Sequence, residues 1–454
     1  MKHLRASDLA AVAQLATHAT VGITNLSEGV HQSVWGTLGV AGKGGKPGAA
    51  NPATTGGLTG LIYSAVRGVT QLVGKGLGAT FRQLQPLLEA ADHQAVETRQ
   101  REAVLAALNG VLGDHLRATQ NPLATPFSLR YQGRALTTET AHPVDGWPAQ
   151  DADATPDVVA QSTAVAQTPV SGKVLVLIHG LCMNDLQWSG PATPVTAGNP
   201  TTATVQAPVH DHGSALAQAL GYTPVYARYN SGLHISDNGL ELARQLDGLL
   251  AGWPVPVTEL CVVAHSMGGL VMRSATQVAE RDQLPWRQHL KRIVFLGTPH
   301  HGAPLERAGN WVDVILGSTP YSRPFAKLGQ LRSAGITDLR YGHVVQADWQ
   351  GHDRFRKRPD SRLHVPLPEG VACYTMAATL ADKWAPKSGA VTDNIVGDGL
   401  VPVPSALGHH TQVGRRLLFA QASRRVLYAT HHMALLNSPV VTQQLITWLA
   451  EPLH

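Results

Sequence analysis

The alternation of short apolar segments with amphipathic ones from residue 173 onward constrains the fold of this chain most. The segments "KVLVLIHG", "TPVYARYN", "ELCVVA" and "RIVFLGTP" have the pattern of buried strands, and helical patterns separate them at 212–220, 236–252 and 266–280. Later strands are predicted at "GVACYTMAA" and "RRVLYAT", and a last helix at about 438–450. Apolar strands that alternate with helices favour a parallel sheet covered on both faces. The sequence therefore predicts an α/β fold with a mostly parallel, doubly wound sheet.

The region before this alternation has a different pattern. Helical periodicity extends over residues 7–38, 61–84 and 92–117, and a connector rich in Gly, Pro and Ala lies at 41–57. The segment "FSLRYQGRALTTE" then predicts a β-hairpin around Gln132-Gly133. We predict a helical accessory region over 1–125 and an α/β domain over 126–454. The amphipathic helices also suit contact with a membrane or granule surface, although a helical bundle is the favoured interpretation.

Composition limits the classes of partner and the compartment. The chain has 36 basic and 31 acidic residues and only 5% aromatic residues, which disfavours nucleic-acid binding. Its three cysteines form no spaced framework, as is typical of proteins in a reducing compartment. The amino-terminal segment is a poor signal peptide, and no run approaches the ~20 apolar residues of a membrane span. We therefore expect a cytoplasmic protein.

A candidate nucleophile lies in "LCVVAHSMGGL", residues 260–270. Ser266 stands where an apolar strand is followed by a helix, and the residues two before and two after it are the small Ala264 and Gly268. A tight strand–turn–helix elbow needs small residues at these places in order to expose a nucleophilic hydroxyl. The alternative is a glycine-rich turn with an incidental serine. Backbone N–H groups of Met267, after the serine, and of Leu181, after "VLVLIHG", are the predicted donors of an oxyanion hole.

The base and the acid of a catalytic triad have candidates after two late strands. Asp398 lies in "VGDGLVPVPSALG", and Asp393 is the alternative acid. His431 and His432 follow the last strand, and either could be the base. The paired histidines of the chain lack the spacing of helical metal ligands and have no carboxylate motif, so metal binding is disfavoured. No metal and no cofactor are predicted.

These stretches resemble those of bacterial lipases and esterases of the α/β-hydrolase fold. The resemblance rests on "LVLIHGL", "AHSMGGLV", "FLGTPHHGAPLE", "DGLVPVPSA" and "HHMALLNSPVVTQQLITWL", and it covers roughly residues 170–452. It implies an ester hydrolase in which Ser266 is the nucleophile, His432 the base and Asp398 the acid. Ala434 stands where related secreted lipases carry a calcium-binding aspartate, and those lipases also carry a signal peptide. Calcium dependence and secretion are therefore not expected.

A long insertion at 303–369 predicts a cap over the site, because simple connections in compact domains are shorter. The apolar "NWVDVILG" at 310–317 would suit a lid helix. A hydrophobic cap and a nucleophilic serine together predict an apolar acyl ester as substrate. Two alternatives stay open: an acyltransferase or amidase that uses the same site, and a non-catalytic scaffold on a hydrolase fold. The oligomeric state is left open.

Overall fold

The computed structural model describes residues 99–136, 170–192, 208–303, 333–353, 360–382 and 397–452. Residues 102–115 and 125–454 belong to one compact unit, and residues 1–101 and 116–124 to another. The first two predicted helical regions, the predicted lid helix and Asp393 lie outside the described residues. The domain boundary near residue 125 and the cap therefore stay predictions.

Within the described ranges, ten strands form two sheets. They are β1 (Ser128–Tyr131), β2 (Arg134–Ala135), β3 (Lys173–Ile178), β4 (Ser189–Pro191), β5 (Val209–Asp211), β6 (Thr223–Arg228), β7 (Glu259–His265), β8 (Leu290–Leu296), β9 (Ala372–Ala378) and β10 (Arg424–Leu427). The large sheet has eight strands in the order β10-β9-β8-β7-β3-β6-β1-β2, and β4 pairs with β5 in a small second sheet. In the large sheet β1 is antiparallel to β2 and β6, and every other neighbouring pair is parallel.

The predicted helices that fall on described residues are present near the predicted places. The α-helices are α1 (Arg99–Ala118), α2 (His212–Leu220), α3 (Ile235–Ala251), α4 (Met267–Asp282), α5 (Ala334–Tyr341), α6 (Val403–Ala406) and α7 (Pro439–Ala450). Short 3₁₀ helices occur at Asp185–Trp188, Pro285–His289, Gln346–Asp348, Val413–Arg415, Gln421–Ser423 and His432–Leu436. No helix among the described residues is both long and apolar enough to cross a membrane.

The apolar strands separate two hydrophobic cores. In β3, Val174, Val176 and Ile178 belong to one core, together with apolar residues of α1, α3 and α4. Leu175 and Leu177 belong to the opposite core, with apolar residues of α2 and α7. Because successive side chains of a strand point to opposite faces, a strand covered on both faces must be apolar at every position. The α/β class and the mostly parallel sheet are thus confirmed.

Candidate active site

Ser266 lies in a sharp turn between the end of β7 and the start of α4. Its backbone has φ 54° and ψ −123°, a conformation that costs energy for a residue with a side chain. Its N–H donates to the carbonyl of Leu296 at 2.8 Å, at the end of β8. A Cβ added to Gly268 would lie 2.6 Å from the carbonyl oxygens of Ile178 and His179. The turn therefore requires glycine at this position because the loop after β3 packs directly against it.

His432 and Asp398 form a buried pair. The Nδ1 atom of His432 is 2.6 Å from Oδ2 of Asp398, and the side chains are only 4% and 1% exposed. The other carboxylate oxygen, Oδ1, accepts hydrogen bonds from the N–H groups of Leu400 (3.0 Å) and Val401 (2.8 Å). An ionised carboxylate only accepts, so it favours the histidine tautomer with the proton on Nδ1. In that tautomer Nε2 of His432 is free of hydrogen and can accept a proton.

Two contacts bring this pair to the serine. His265, the residue just before Ser266, has its ring centroid 4.6 Å from that of His432. The carbonyl of Leu296 accepts the hydrogen bond from the N–H of Ser266. The next residue is Gly297, and a Cβ added to it would lie 3.0 Å from Cε1 of His432. The carboxyl ends of β7 and β8 thus hold the serine and the histidine in one place. The structure thus pairs His432 with Asp398 and places the ring of His432 against His265, the neighbour of Ser266; the triad itself stays a prediction.

His431 has a different environment from His432. Its side chain is exposed, and its Nδ1 accepts a hydrogen bond from the N–H of Ala434 at 3.2 Å, which caps the 3₁₀ helix that begins at His432. Burial and the neighbouring His432 lower the pKa of His431. Of the two adjacent histidines, the structure places the ring of His432 against Asp398.

Further polar contacts hold the segment that carries His432. Nε2 of His265 donates to the carbonyl of His432 at 3.3 Å, and Nε2 of His212 donates to the carbonyl of Leu435 at 2.9 Å. Nδ1 of His212 is 2.7 Å from the hydroxyl of Thr442, which is itself 2.6 Å from Nε2 of His210. Burial lowers the pKa of His212 to about 4, so its ring is neutral and can donate at one nitrogen and accept at the other.

The predicted oxyanion donors lie beside the serine. A Cβ added to Gly180 would lie 2.9 Å from Cβ of Ser266, so the peptide that leads to Leu181 packs against the nucleophile. Among the described residues neither the Leu181 nor the Met267 N–H donates to a protein acceptor. Met267 opens α4, where the helix dipole favours negative charge. The role of both N–H groups as oxyanion donors stays a prediction.

The His179 side chain stabilises its own loop. Its Nδ1 donates to the carbonyl of Gly180 at 2.8 Å, and its ring stacks on Tyr229 with 4.2 Å between centroids. The Tyr229 hydroxyl donates to the His179 carbonyl at 2.7 Å. Burial lowers the pKa of His179 to about 3, so the ring is neutral. These contacts stabilise the segment that presents the N–H of Leu181.

The paired histidines after β8 contact protein groups. The His300 ring lies between the rings of Phe295 (4.9 Å) and Phe419 (5.5 Å), and burial lowers its pKa well below the usual value. Nε2 of His301 donates to the carbonyl of Gly408 at 3.0 Å. In the part of the chain that the structure describes, no group of three or more His, Cys, Asp or Glu side chains is placed to hold a metal ion.

Sequence reasoning missed the residues that support the site from a distance. These are His212, His265, Gly297 and Thr442. His265 lies inside the serine motif, and Gly297 directly precedes "TPHHG", so both stood beside recognised patterns. His212 and Thr442 stand 230 positions apart in the chain, and no local pattern relates them. Only the fold brings them to the segment that carries His432.

The family model that matches this chain describes a domain of unknown function. This model (DUF7379) matches residues 226–339, which include Ser266. No curated protein sequence matches the chain.

Several solved structures resemble it at low identity. Lipase BlEst2 of Bacillus licheniformis in its mature form is 17% identical, with a TM-score of 0.36, over 64% of this chain and 96% of that one. A lipase of Staphylococcus hyicus is 14% identical, with a TM-score of 0.34, over 64% and 97%. The esterase Pf2001 of Pyrococcus furiosus is 12% identical, with a TM-score of 0.32, over 62% and 79%. We therefore interpret the site from its own geometry.

Proposed function

We propose that this chain is a serine carboxylic-ester hydrolase that cleaves apolar acyl esters through a Ser266-His432-Asp398 triad. The observation that carries the proposal is the buried pair of His432 and Asp398, 2.6 Å apart, near the strained turn that holds Ser266. A hydroxyl at a strained turn, a base beside it and a carboxylate that orients the base are the three parts that acyl transfer to a serine needs.

The first chemical step acylates the serine. Nε2 of His432 removes the proton of the Ser266 hydroxyl while Oγ attacks the acyl carbon of the ester. The carbonyl oxygen becomes an oxyanion, which the N–H groups of Leu181 and Met267 stabilise. His432 then gives its proton to the leaving alcohol, and the acyl group stays on Ser266 as an ester.

The second step returns the enzyme to its starting state. Water attacks the acyl-enzyme, and His432 removes one of its protons. Collapse of the second tetrahedral intermediate releases the carboxylic acid, and the proton goes back to Ser266. Asp398 keeps its charge throughout and stabilises the positive charge that His432 carries in each intermediate.

Apolar side chains near the serine favour an apolar acyl group. A Cβ added to Gly180 would lie 2.9 Å from Cβ of Ser266 and 3.3 Å from the sulfur of Met183. Met183 is therefore close to the serine. A methyl carbon of Leu435 lies 2.8 Å from the corresponding place at Gly297, beside His432. Such contacts stabilise a hydrocarbon chain by roughly 25 cal/mol for each Å² that leaves water.

The test of the proposed function compares initial rates on p-nitrophenyl esters from acetate to palmitate for the wild-type chain and Ser266→Ala. We expect hydrolysis by the wild type, with a preference for one range of chain length, and loss of at least about 10³-fold of kcat in the variant, because the nucleophile is removed. The matched control is Ser214→Ala at an exposed position of α2, which should keep the wild-type rate.

Two outcomes would contradict this proposal. Equal rates in wild type and Ser266→Ala would show that another group does the chemistry. No hydrolysis of any ester, together with labelling of Ser266 by a fluorophosphonate, would indicate transfer of the acyl group to an acceptor other than water.

A further inference from the structure

Helix α1 packs directly against the loop that follows β3. A Cβ added to Gly110 would lie 2.2 Å from Sγ and 2.9 Å from Cα of Cys182, so the helix and the loop touch at the level of their backbones. Cys182 has φ 59°, in the left-handed region that a residue with a side chain rarely adopts. The neighbouring helix backbone thus supports a strained loop conformation at the residue next to Leu181.

Buried polar contacts join the same two segments. Nδ2 of Asn184 donates to the carbonyl of Glu102 at 3.0 Å, and the Glu102 carboxylate is 3.0 Å from Nη1 of Arg228. Nε of Arg228 also donates to Asp185, in the loop. The side chains of Glu102, Arg228 and Asp185 are each less than a tenth exposed. Removing one charged partner disturbs the charge balance of such a buried network, which is unfavourable.

The supported loop carries a proposed oxyanion donor. Residues 179–185 include Leu181, and Cys182 is tied further by a hydrogen bond from its N–H to the Ser231 hydroxyl at 3.0 Å. Oxyanion donors act only when they are fixed about 3 Å from the position of the developing charge, so small displacements of their peptides are costly.

From these contacts we propose that residues 102–110 of α1 are a positioning element for catalysis. They hold the loop 179–185 so that the N–H of Leu181 faces the carbonyl oxygen of the substrate. This inference rests on the proposed function, and it assigns a catalytic purpose to a helix that precedes the β/α alternation in the chain. Gly110 is the decisive residue, because only glycine permits the contact with Cys182.

The same helix offers a matched comparison. A Cβ added to Gly113 would lie 1.8 Å from Oδ1 and 2.7 Å from Cγ of Asn230, in the loop after β6. Gly110→Ala and Gly113→Ala therefore add the same methyl group to buried positions of one helix. The first presses on the backbone of the oxyanion loop, and the second presses on a side chain of another loop.

The experiment measures kcat, KM, the melting temperature and the affinity for an alkyl trifluoromethyl ketone, which forms a tetrahedral adduct with an oxyanion. For Gly110→Ala we expect kcat to fall roughly 10- to 100-fold with KM little changed, since loss of one whole oxyanion donor costs about 10²–10³-fold. The ketone should bind more weakly by a similar factor. Gly113→Ala should lower the melting temperature but change kcat less than about threefold, well below the effect of losing an oxyanion donor.

A second-site variant tests the contact itself. In Gly110→Ala/Cys182→Gly the sulfur that meets the new methyl is gone and the left-handed backbone is relieved, so kcat should recover in part. If Gly110→Ala does not fold, Glu102→Gln replaces it. The helix is kept, and one of the two carboxylates that the structure places against Arg228 loses its charge. We expect kcat to fall several-fold at unchanged KM.

Three results would overturn the inference. The first is a Gly110→Ala enzyme with wild-type kcat and ketone affinity. The second is an equal loss of kcat in Gly110→Ala and Gly113→Ala, without recovery in the double variant. The third applies if Glu102→Gln has to replace Gly110→Ala, and it is an unchanged kcat in Glu102→Gln. Failure of the proposed function is a separate result. It would appear in the wild type, as ester hydrolysis that is absent or that survives Ser266→Ala, before any α1 variant is compared.

Discussion

At the scale of single residues, the Asp398 carboxylate is held by more than its histidine partner. Its Oδ1 accepts two backbone hydrogen bonds, from Leu400 and Val401, and its backbone carbonyl accepts the N–H of His432 at 3.1 Å. These bonds fix the orientation of the carboxylate, so that its other oxygen, Oδ2, points toward Nδ1 of His432. A fixed acceptor at that place orients the ring and selects its tautomer.

Asp398→Asn tests this orientation. An asparagine can keep the shape of the loop, but its amide can donate to Nδ1 and so favour the tautomer in which Nε2 carries the proton. In a well-studied serine protease the equivalent change lowers kcat about 10⁴-fold, and we expect a loss of similar order here with KM nearly unchanged. Steady-state kinetics on the best p-nitrophenyl ester would measure it.

His431→Asn is the matched control for the neighbouring histidine. It keeps a side chain that can cap the 3₁₀ helix, so the activity should stay within about threefold of wild type, as is typical of a change away from the reacting atoms. Loss of activity in His431→Asn, combined with an active His432→Asn, would reassign the base.

At the scale of elements, the turn between β7 and α4 packs closely against two neighbouring segments because its glycines carry no side chains. Gly268 meets the carbonyl oxygens at the end of β3, and a Cβ added to Gly269 would lie 2.0 Å from the Thr298 hydroxyl after β8. The loops after β3, β7 and β8 are therefore in direct contact around Ser266. This close packing holds the strained backbone of the serine in place.

We expect Gly268→Ala to destabilise the protein. The new methyl group would collide with backbone atoms, which cannot move aside as the end of a side chain can, and overpacking of this kind costs about 1–3 kcal/mol or more. Urea unfolding would measure the loss. The control is Gly414→Ala, where an added Cβ meets nothing within 4 Å; equal stability of the two variants would contradict the packing argument.

At the scale of the whole molecule, several histidines are buried in their neutral form. Burial lowers the pKa of His179 to about 3 and that of His212 to about 4, and it lowers the pKa values of His265 and His300 well below the usual range. In the unfolded chain a histidine titrates near pH 6.5. The unfolded state therefore binds more protons than the folded state below that pH.

The free energy of unfolding should consequently fall as the pH drops from about 6.5 to about 4, and the contribution of these histidines should be constant above that window. Each proton taken up on unfolding contributes a slope of about 1.4 kcal/mol per pH unit. Urea unfolding at a series of pH values would give the slope. In His212→Gln the slope should decrease by up to about 1.4 kcal/mol per pH unit, the contribution of one proton. An unchanged slope in that variant would show that His212 does not titrate as described.

Much of the fold could be predicted from pattern because period and polarity are local. The strands of the parallel sheet are apolar at every position, and the helices between them are not, so β3, β7 and α4 were found near their observed ends. The elbow at Ser266 was predicted for the same reason, since small residues at fixed offsets are visible in the chain. The order of serine, acid and histidine motifs gave candidates for the whole triad.

Other features depended on contacts between distant parts of the chain. Reasoning from the residues alone left His431 and His432 open, because adjacent side chains point in different directions and only the path of the backbone shows which one meets Asp398. The support of the His432 segment by His212, and of the oxyanion loop by Gly110, joins residues with no shared motif. Period and composition encode which face of an element is buried; which other element covers that face is settled by packing in three dimensions.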